Sequence, residues 1–432
     1  MQQGDIVKKL TPMQRQYLEL KKQYKDCILM FRLGDFYEMF NEDAKVASSD
    51  LDIVLTSRGE GVAKWPMCGV PHHAVQGYVA KLLAAGHTVA IADQVEDASQ
   101  AKGLVKRDVV RVVTPGTVLE TGMLEDATNN YLLAIIEHSD VVGLAAVDVS
   151  TGEFIATQFE GSYISEATLN EIGRIKPSEI LLPEDASKNV ALSSAYDEIG
   201  ARRTYRNDLD FSSQSAEERL KEQFRVTTLD GYGLGDKDVA LGAAGAVLAY
   251  LADVHKANAT TLTGIWTYSV DTHMIVDSTT QRNLELIRNA RDGSPRGTLL
   301  SVLSKTVTPM GKRKLKQWIL QPLTNISAID RRLNAVDEFA RTAMTRTSVA
   351  ASLRNLGDLE RITSRIVFGV ANARDLLALR IALEKLPNIR KTLGECKAEL
   401  LKSSAESIDL LKDLTKTLKA AIVDEPPVSI RD

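Results

Sequence analysis

Near Asp277 the hydrophobic periodicity of this 432-residue chain changes kind. Upstream, short apolar runs bounded by Gly, Pro, Asn and Ser alternate with segments of helical spacing. Downstream, almost every segment has helical spacing. One core cannot serve both patterns, and the length alone exceeds what a single core usually supports. The chain is therefore predicted to hold two to four domains, α/β units first and an all-α body after them.

Within the first part, Met13, Tyr17, Leu20 and Tyr24 follow helical spacing behind Thr11 as a cap and Pro12 at the first helical position. The run Cys27 to Leu33 predicts a buried strand, with a turn at Gly34-Asp35 before the group Phe36-Tyr37-Glu38. Helices are predicted at 41–51 and 75–85, and strands at 53–56, 88–91 and 109–113. This first α/β unit closes by residue 116. Residues 117–130 read as a linker.

A second unit, residues 128–256, opens with three strand-like runs at 131–137, 141–149 and 153–158, a meander by its turn residues. A helix at 165–175, a strand at 179–182 and an Ala-rich helix at 239–254 follow. The two internal glycines of that last helix would allow close packing. The helical unit is read over residues 265–432, with helices at 283–290, 298–303, 311–320, 326–342, 345–353, 359–367 and 373–386, punctuated by Pro322 and Pro387. One more long helix is expected at 407–423, and the stop at Arg431-Asp432 suggests a truncation.

The net charge of −4 conceals an asymmetry. Residues 1–115 carry +1, 116–259 carry −13, 260–395 carry +9 and 396–432 carry −1. Contact with a polyanion is thus expected on the flanks rather than in the acidic middle. Cys27, Cys68 and Cys396 are too few and too far apart for a disulfide framework or a metal site, and read as small hydrophobes. No stretch of about 18 uncharged apolar residues occurs. The first 24 residues lack the apolar stretch of a signal peptide, so a cytoplasmic protein with no membrane contact is expected.

Phe36, Tyr37 and Glu38 place two aromatics and a carboxylate straight after a strand, at a turn. They can be core rings beside a solvated acid. Alternatively, Phe36 can enter a DNA groove as a wedge and unstack a base step, which costs a few kcal/mol and kinks the duplex. Arg58, Lys106, Arg107 and Arg111 can hold phosphates around such a wedge or form a solvated face. His72, His73 and His87 have no Cys or acidic set at metal spacing, so no metal site is expected. Asp148, late in a strand, raises the question of a metal-dependent nuclease, which would need several carboxylates. Lys305, Lys312, Arg313, Lys314 and Lys316 form a basic group that can meet DNA or be ordinary helix-surface charge.

Several of these blocks together resemble MutS proteins. The start Thr11-Pro12-Met13, the segment FRLGDFYEMF at 31–40, the run MCGVPHHA at 67–74 and VVRVVTPGT at 109–117 are similar to the family's mismatch-binding domain. Arg282-Asn283-Leu284-Glu285, GTLLSVLSKTVTPMGKRKLKQWILQPL at 297–323 and Gly357-Asp358-Leu359-Glu360-Arg361 resemble its core domain. The likeness runs in order along the whole chain.

The resemblance implies a multidomain α/β plus all-α protein: a mixed-sheet mismatch-binding domain (1–116), a ribonuclease-H-like connector without nuclease activity (128–256) and an incomplete helical core with the start of a lever (265–432). It implies that Phe36 stacks on a mispaired base and Glu38 hydrogen-bonds to it. Base ring nitrogens such as N3 and N7 accept, so Glu38 would have to donate as the neutral acid. Discrimination would then be a difference in deformation cost, since a mismatch has already lost part of its resistance to unstacking.

The chain has no GxxxxGK[ST]. Catalytic residues and cofactors are therefore not expected in it; the resemblance places ATP and Mg in a longer parent, together with MutL as partner and a homodimer. A monomer is compatible with the piece in hand, and a nucleoid-associated cytoplasmic location is expected. The rival readings are a MutS-like recombination or scaffold protein, whose members typically lack the Phe-x-Glu motif, and the nuclease.

Overall fold

The structure is a computed structural model that describes residues 10–58, 64–96, 105–161, 164–188, 200–255 and 262–427. Arg431 and Asp432, where a truncation was expected, lie outside the described residues.

The first unit is a six-stranded mixed sheet. Helix α1 (Pro12–Gln23) starts from a capping box in which the Thr11 hydroxyl accepts from the Gln14 N–H and the Gln14 side chain accepts from the Thr11 N–H. Strands β1 (Cys27–Leu33) and β2 (Phe36–Phe40) are joined by a turn with Gly34 at φ +60°. Helix α2 (Asn41–Leu51), β3 (Thr56–Arg58), β4 (Trp65–Pro71), α3 (Val75–Ala84), β5 (Thr88–Gln94) and β6 (Arg107–Val113) complete it. The sheet order is β3-β4-β2-β1-β5-β6, with β1 and β5 parallel and the other pairs antiparallel.

Strand β1 is apolar from Cys27 to Phe31 because both faces of the sheet are covered there: Leu29 and Phe31 enter one cluster, Ile28 and Met30 the other. The strand expected at 53–56 instead begins at Thr56. Asp52 takes a left-handed conformation and the Ile53 N–H closes onto the Ser48 carbonyl, so 53–55 finish the helix end rather than pair.

Strands β7 (Leu132–His138), β8 (Val141–Asp148) and β9 (Glu153–Glu160) form the expected antiparallel meander. Helix α4 (Ile164–Ile175), β10 (Glu179–Pro183), β11 (Arg202–Arg206), α5 (Ser213–Phe224), α6 (Asp238–His255) and the short β12 (Trp266–Thr267) follow, and the sheet order is β11-β10-β7-β8-β9-β12. Helix α6 is long and apolar enough to cross a membrane by composition, but it is largely buried against this sheet and behaves as a core helix. Its two glycines do permit close approach: a Cβ on Gly242 would lie 2.3 Å from the Phe211 carbonyl oxygen, and one on Gly245 2.3 Å from the Ala216 Cβ.

One continuous apolar cluster runs from Tyr17 of α1 and Phe31 of β1 to Phe154 of β9 and the α6 alanines. The segment expected to be a polar linker is buried at Thr117, Val118 and Leu119, with Leu119 entering this cluster and Val118 the one beneath α2 and α3.

The remaining elements are helical: α7 (Ser278–Asn283), α8 (Leu299–Leu303), α9 (Pro309–Leu320), α10 (Ile326–Arg341), α11 (Ala343–Leu353), α12 (Leu359–Val367), α13 (Ala373–Gly394), α14 (Glu399–Ser407) and α15 (Lys412–Ala421). Three expectations are corrected. The helix placed at 283–290 lies earlier, capped by Asp277, and ends where Glu285 adopts φ +48°. Helix α13 passes through Pro387, held by buried Leu383 and Ile389 on either side. The long helix expected at 407–423 is shorter, Lys412–Ala421: the preceding helix ends at Ser407 and Leu411 turns left-handed before the new one starts. The buried clusters of this part are small, which suits an elongated assembly of helices rather than one globular core.

Arg313 and Arg361 tie the linker to the helices. Arg313 donates to the Asp126 carbonyl at 3.1 Å and pairs with Asp358 and Glu360, while Arg361 donates to the Thr128 carbonyl at 2.7 Å.

Candidate nucleic-acid interface

Alternation along β2 decides which side chains share a face. Tyr37 and Met39 point into the cluster under α2 and α3, so Phe36 and Glu38 point to the opposite side, two residues apart. The sequence reading put this group at a turn; the structure puts it at the start of a strand, which is what brings the ring and the carboxyl side by side. Phe36 is 47% exposed, unlike the fully buried Phe31 and Phe40 nearby, so it is not a core ring.

The floor under the pair is Gly69 of β4, which stands opposite Glu38 in register. With no side chain there, the Glu38 Cγ and the Phe36 Cδ1 lie 3.5 and 3.8 Å from where a Cβ would be. Behind the face, the Tyr37 hydroxyl donates to Asp93 at 3.0 Å, and burial followed by the Asp93 charge pushes its ionisation up to about 12. Tyr37 therefore stays a neutral donor that locks β2. One strand-length further in, the Tyr17 hydroxyl and the Lys21 ammonium both donate to buried Asp43, at 3.0 and 2.8 Å. That network fixes the junction of β2 with α2.

The four basic candidates separate. Arg58 reaches across β4 and donates to Glu38 at 2.5 Å, with half of its own side chain exposed. Lys106 is exposed just before β6, at the opposite edge of the sheet from Arg58. Arg107 is buried, donates to the Arg32 and Val105 carbonyls, and lies over the Phe31 ring at 5.3 Å. Burial pulls its ionisation below the usual guanidinium range. Arg111 makes a two-pronged ion pair with Glu120 beside the linker. The structure thus brings Phe36, Glu38 and Arg58 together and commits Arg107 and Arg111 to internal partners.

Gly69 and the strand that carries it were not read from the sequence. The signal available was the alternation Met67, Gly69, Pro71 against Cys68 and Val70, obscured by a proline at each end.

The carboxylate that raised the nuclease question has no free edge. Asp148 is fully buried and accepts from the Asn129 amide, the Asn130 N–H and both the N–H and hydroxyl of Ser150. Among the described residues, no group of three or more His, Cys, Asp or Glu side chains is placed to hold a metal ion. His87 pairs with Asp50 at 2.6 Å, and His72 contacts the Asp35 carbonyl.

An exposed ring beside a half-buried acid on one face of a mixed sheet, carried by a three-part α/β and helical chain, defines the class: the family models for MutS domain I, MutS domain II and MutS domain III match residues 11–122, 130–263 and 279–432. Proteins named DNA mismatch repair protein MutS are 43% identical over 426 residues in Symbiobacterium thermophilum and 45% identical over 419 residues in Pelotomaculum thermopropionicum. The aligned parts cover 98% and 97% of this chain, and 49% and 48% of those relatives. The chain belongs to the MutS family. It spans about half the length of the curated relatives it matches.

Proposed function

We propose that this chain recognises mispaired or unpaired bases in duplex DNA, with Phe36 as the stacking wedge and Glu38 as the hydrogen-bonding partner of the disturbed base. The observation that carries the reading is the placement of an exposed aromatic ring beside a carboxyl on one strand face, over a glycine that leaves the face flat. A ring so placed can enter a weakened base step, and stacking returns about 1 to 3 kcal/mol per base.

Arg58 and exposed Lys106 are the phosphate contacts in this reading. Arg107 and Arg111 serve by holding β6 and the linker in place. The second sheet, a three-stranded meander extended by β10 and β11 parallel to β7, supports the ribonuclease-H-like description of the connector. The helical segment is read as the core with the start of a lever. In the longer protein, binding would be coupled to ATP with Mg, to MutL and to a homodimer, in the cytoplasm at the nucleoid.

The test compares the longer protein with its Phe36→Ala variant on matched duplex, and on the same duplex carrying one G·T pair or one unpaired T. The wild type should prefer the defects, and the variant should lose roughly tenfold or more on them while keeping its affinity for matched DNA. A wild type without preference, or a variant that keeps it, would return Phe36 to a packing role and favour a MutS-like scaffold protein.

A further inference from the structure

Among the described residues, two basic side chains of α9, Lys312 and Lys316, have no hydrogen-bond or ion-pair partner, and of the two only Lys316 lines a cleft. Arg313 is spent on Asp358 and Glu360, and Lys314 donates to Gln317 at 2.9 Å. Lys316 lines a cleft of about 1090 Å³ between the second sheet and the helical segment, opposite Lys176 and Arg288. Lys176 and Arg288 also line the adjoining cavity of about 1040 Å³, so they stand where the two spaces meet.

The three cations crowd one another. Burial, then Lys176 and Arg288, pull the Lys316 ammonium below its ordinary range; burial, then Arg288, do the same to Lys176. Lys176 and Arg288 remain open to the cleft's solvent, so this is confinement by cleft walls rather than enclosure. Among the described residues, none of the three has an ion-pair partner.

The acids nearby offset them only in part. Glu153 accepts from Tyr131 and Asn129, and Glu360 from Arg313. Glu125 faces Lys316 from the linker, and Glu166 lies on the wall of the adjoining cavity. The carbonyl end of α4, beside Lys176, contributes the equivalent of about half a negative charge. That offsets about half of one cation, not three. Lys176 itself holds φ +50°, a left-handed conformation in which its N–H closes α4 onto the Ile172 carbonyl.

We propose that this cleft binds a small oligophosphate anion through Lys176, Arg288 and Lys316. A cleft lined with one sign of charge concentrates counter-ions of the other. Ligand sites for small molecules run to roughly 300–1,000 Å³, the scale of this space and far below that of a duplex. A linear phosphate chain spreads its charge over several oxygens and can meet three separated cations at once, which a single carboxylate cannot. The site is independent of the mismatch-reading face, and neither stands or falls with the other.

The experiment is calorimetric titration of the 432-residue chain with sodium tripolyphosphate at low ionic strength. Saturable binding at one site is expected, weakened about tenfold by Lys176→Gln and by Lys316→Gln. Lys412→Gln/Lys416→Gln, which removes two exposed lysines on α15, should leave it unchanged. Lys176 is exposed, so its variant decides the matter if Lys316→Gln fails to fold. ATP and an oligo-dT strand are titrated in parallel. Binding of ATP that matches or exceeds tripolyphosphate supports the proposal and identifies the phosphate chain as the recognised part. No saturable binding of tripolyphosphate, equal binding by the cleft variants, or cleft-dependent binding of oligo-dT alone overturns it, the last making the cleft a nucleic-acid track.

Discussion

Glu38 accepts a guanidinium hydrogen bond from Arg58 in the free protein, whereas a base ring nitrogen would require it to donate. Both cannot hold at once. On the proposed reading, Arg58 must pass to a phosphate as the base arrives, and its departure leaves the carboxyl facing an acceptor. Glu38→Gln should therefore keep most of the defect preference, because an amide donates without needing a proton, while Glu38→Ala should lose it. Arg58→Ala should weaken matched and defective duplexes alike and lower the slope of log affinity against log salt by about one. Equal losses for Glu38→Gln and Glu38→Ala in a binding titration would mean that Glu38 acts as an acceptor, and the exchange described here would be wrong.

At the scale of elements, the second sheet is built around one glycine in β8. A Cβ on Gly143 would lie 2.4 Å from the Val239 carbonyl carbon, so the first turn of α6 rests directly on the strand. Gln158 of β9 completes the joint: its side-chain oxygen accepts from both the Val239 and Ala240 N–H groups, at 3.2 Å each. Gly143→Ala is expected to destabilise the protein by about 1–3 kcal/mol, since neither backbone can move without breaking that cap. A urea midpoint unchanged from wild type would show that the helix can shift.

This joint also marks what the sequence could and could not reveal. The strands of the meander and the core helix are legible because their apolar patterns are local. Strand β11, Arg202–Arg206, carries three arginines and no apolar alternation, so what makes it a strand is its parallel pairing with β10. The Phe36 and Glu38 candidates were visible as residue types, but their shared face depends on β2 being a strand. Arg58 meets Glu38 only through the β3-β4-β2 order, and β4 itself was masked by Pro66 and Pro71. Burial of Arg107 and the pairing of Arg111 with Glu120 are likewise tertiary facts, invisible in a run of alternating basic and apolar residues.

At the scale of the whole molecule, the three parts meet at His255. It ends α6, its ring lies 4.8 Å from that of Phe368 in the helical segment, and Arg111 of the first sheet and Glu120 of the linker act on its charge. Its Nε2 is buried without a hydrogen-bond partner. Burial first, and Arg111 second, hold its ionisation down at about 4, against 6.5 for an ordinary histidine. The sign follows from which state takes the proton first. As pH falls below about 6.5, the unfolded chain protonates this side chain while the folded one resists, so stability is unaffected above that pH and is lost between it and about 4. The full loss is on the order of 3 kcal/mol. His255→Phe keeps a ring against Phe368 and removes both the titration and the unpartnered nitrogen. Thermal midpoints of the two proteins should therefore run parallel from pH 7 to 8 and diverge on acidification, the variant being favoured by about 2 kcal/mol at pH 5. Carboxylates that titrate in the same window cancel in the comparison. If the curves stay parallel down to pH 4.5, His255 is not the group through which acid loosens the junction of the three parts.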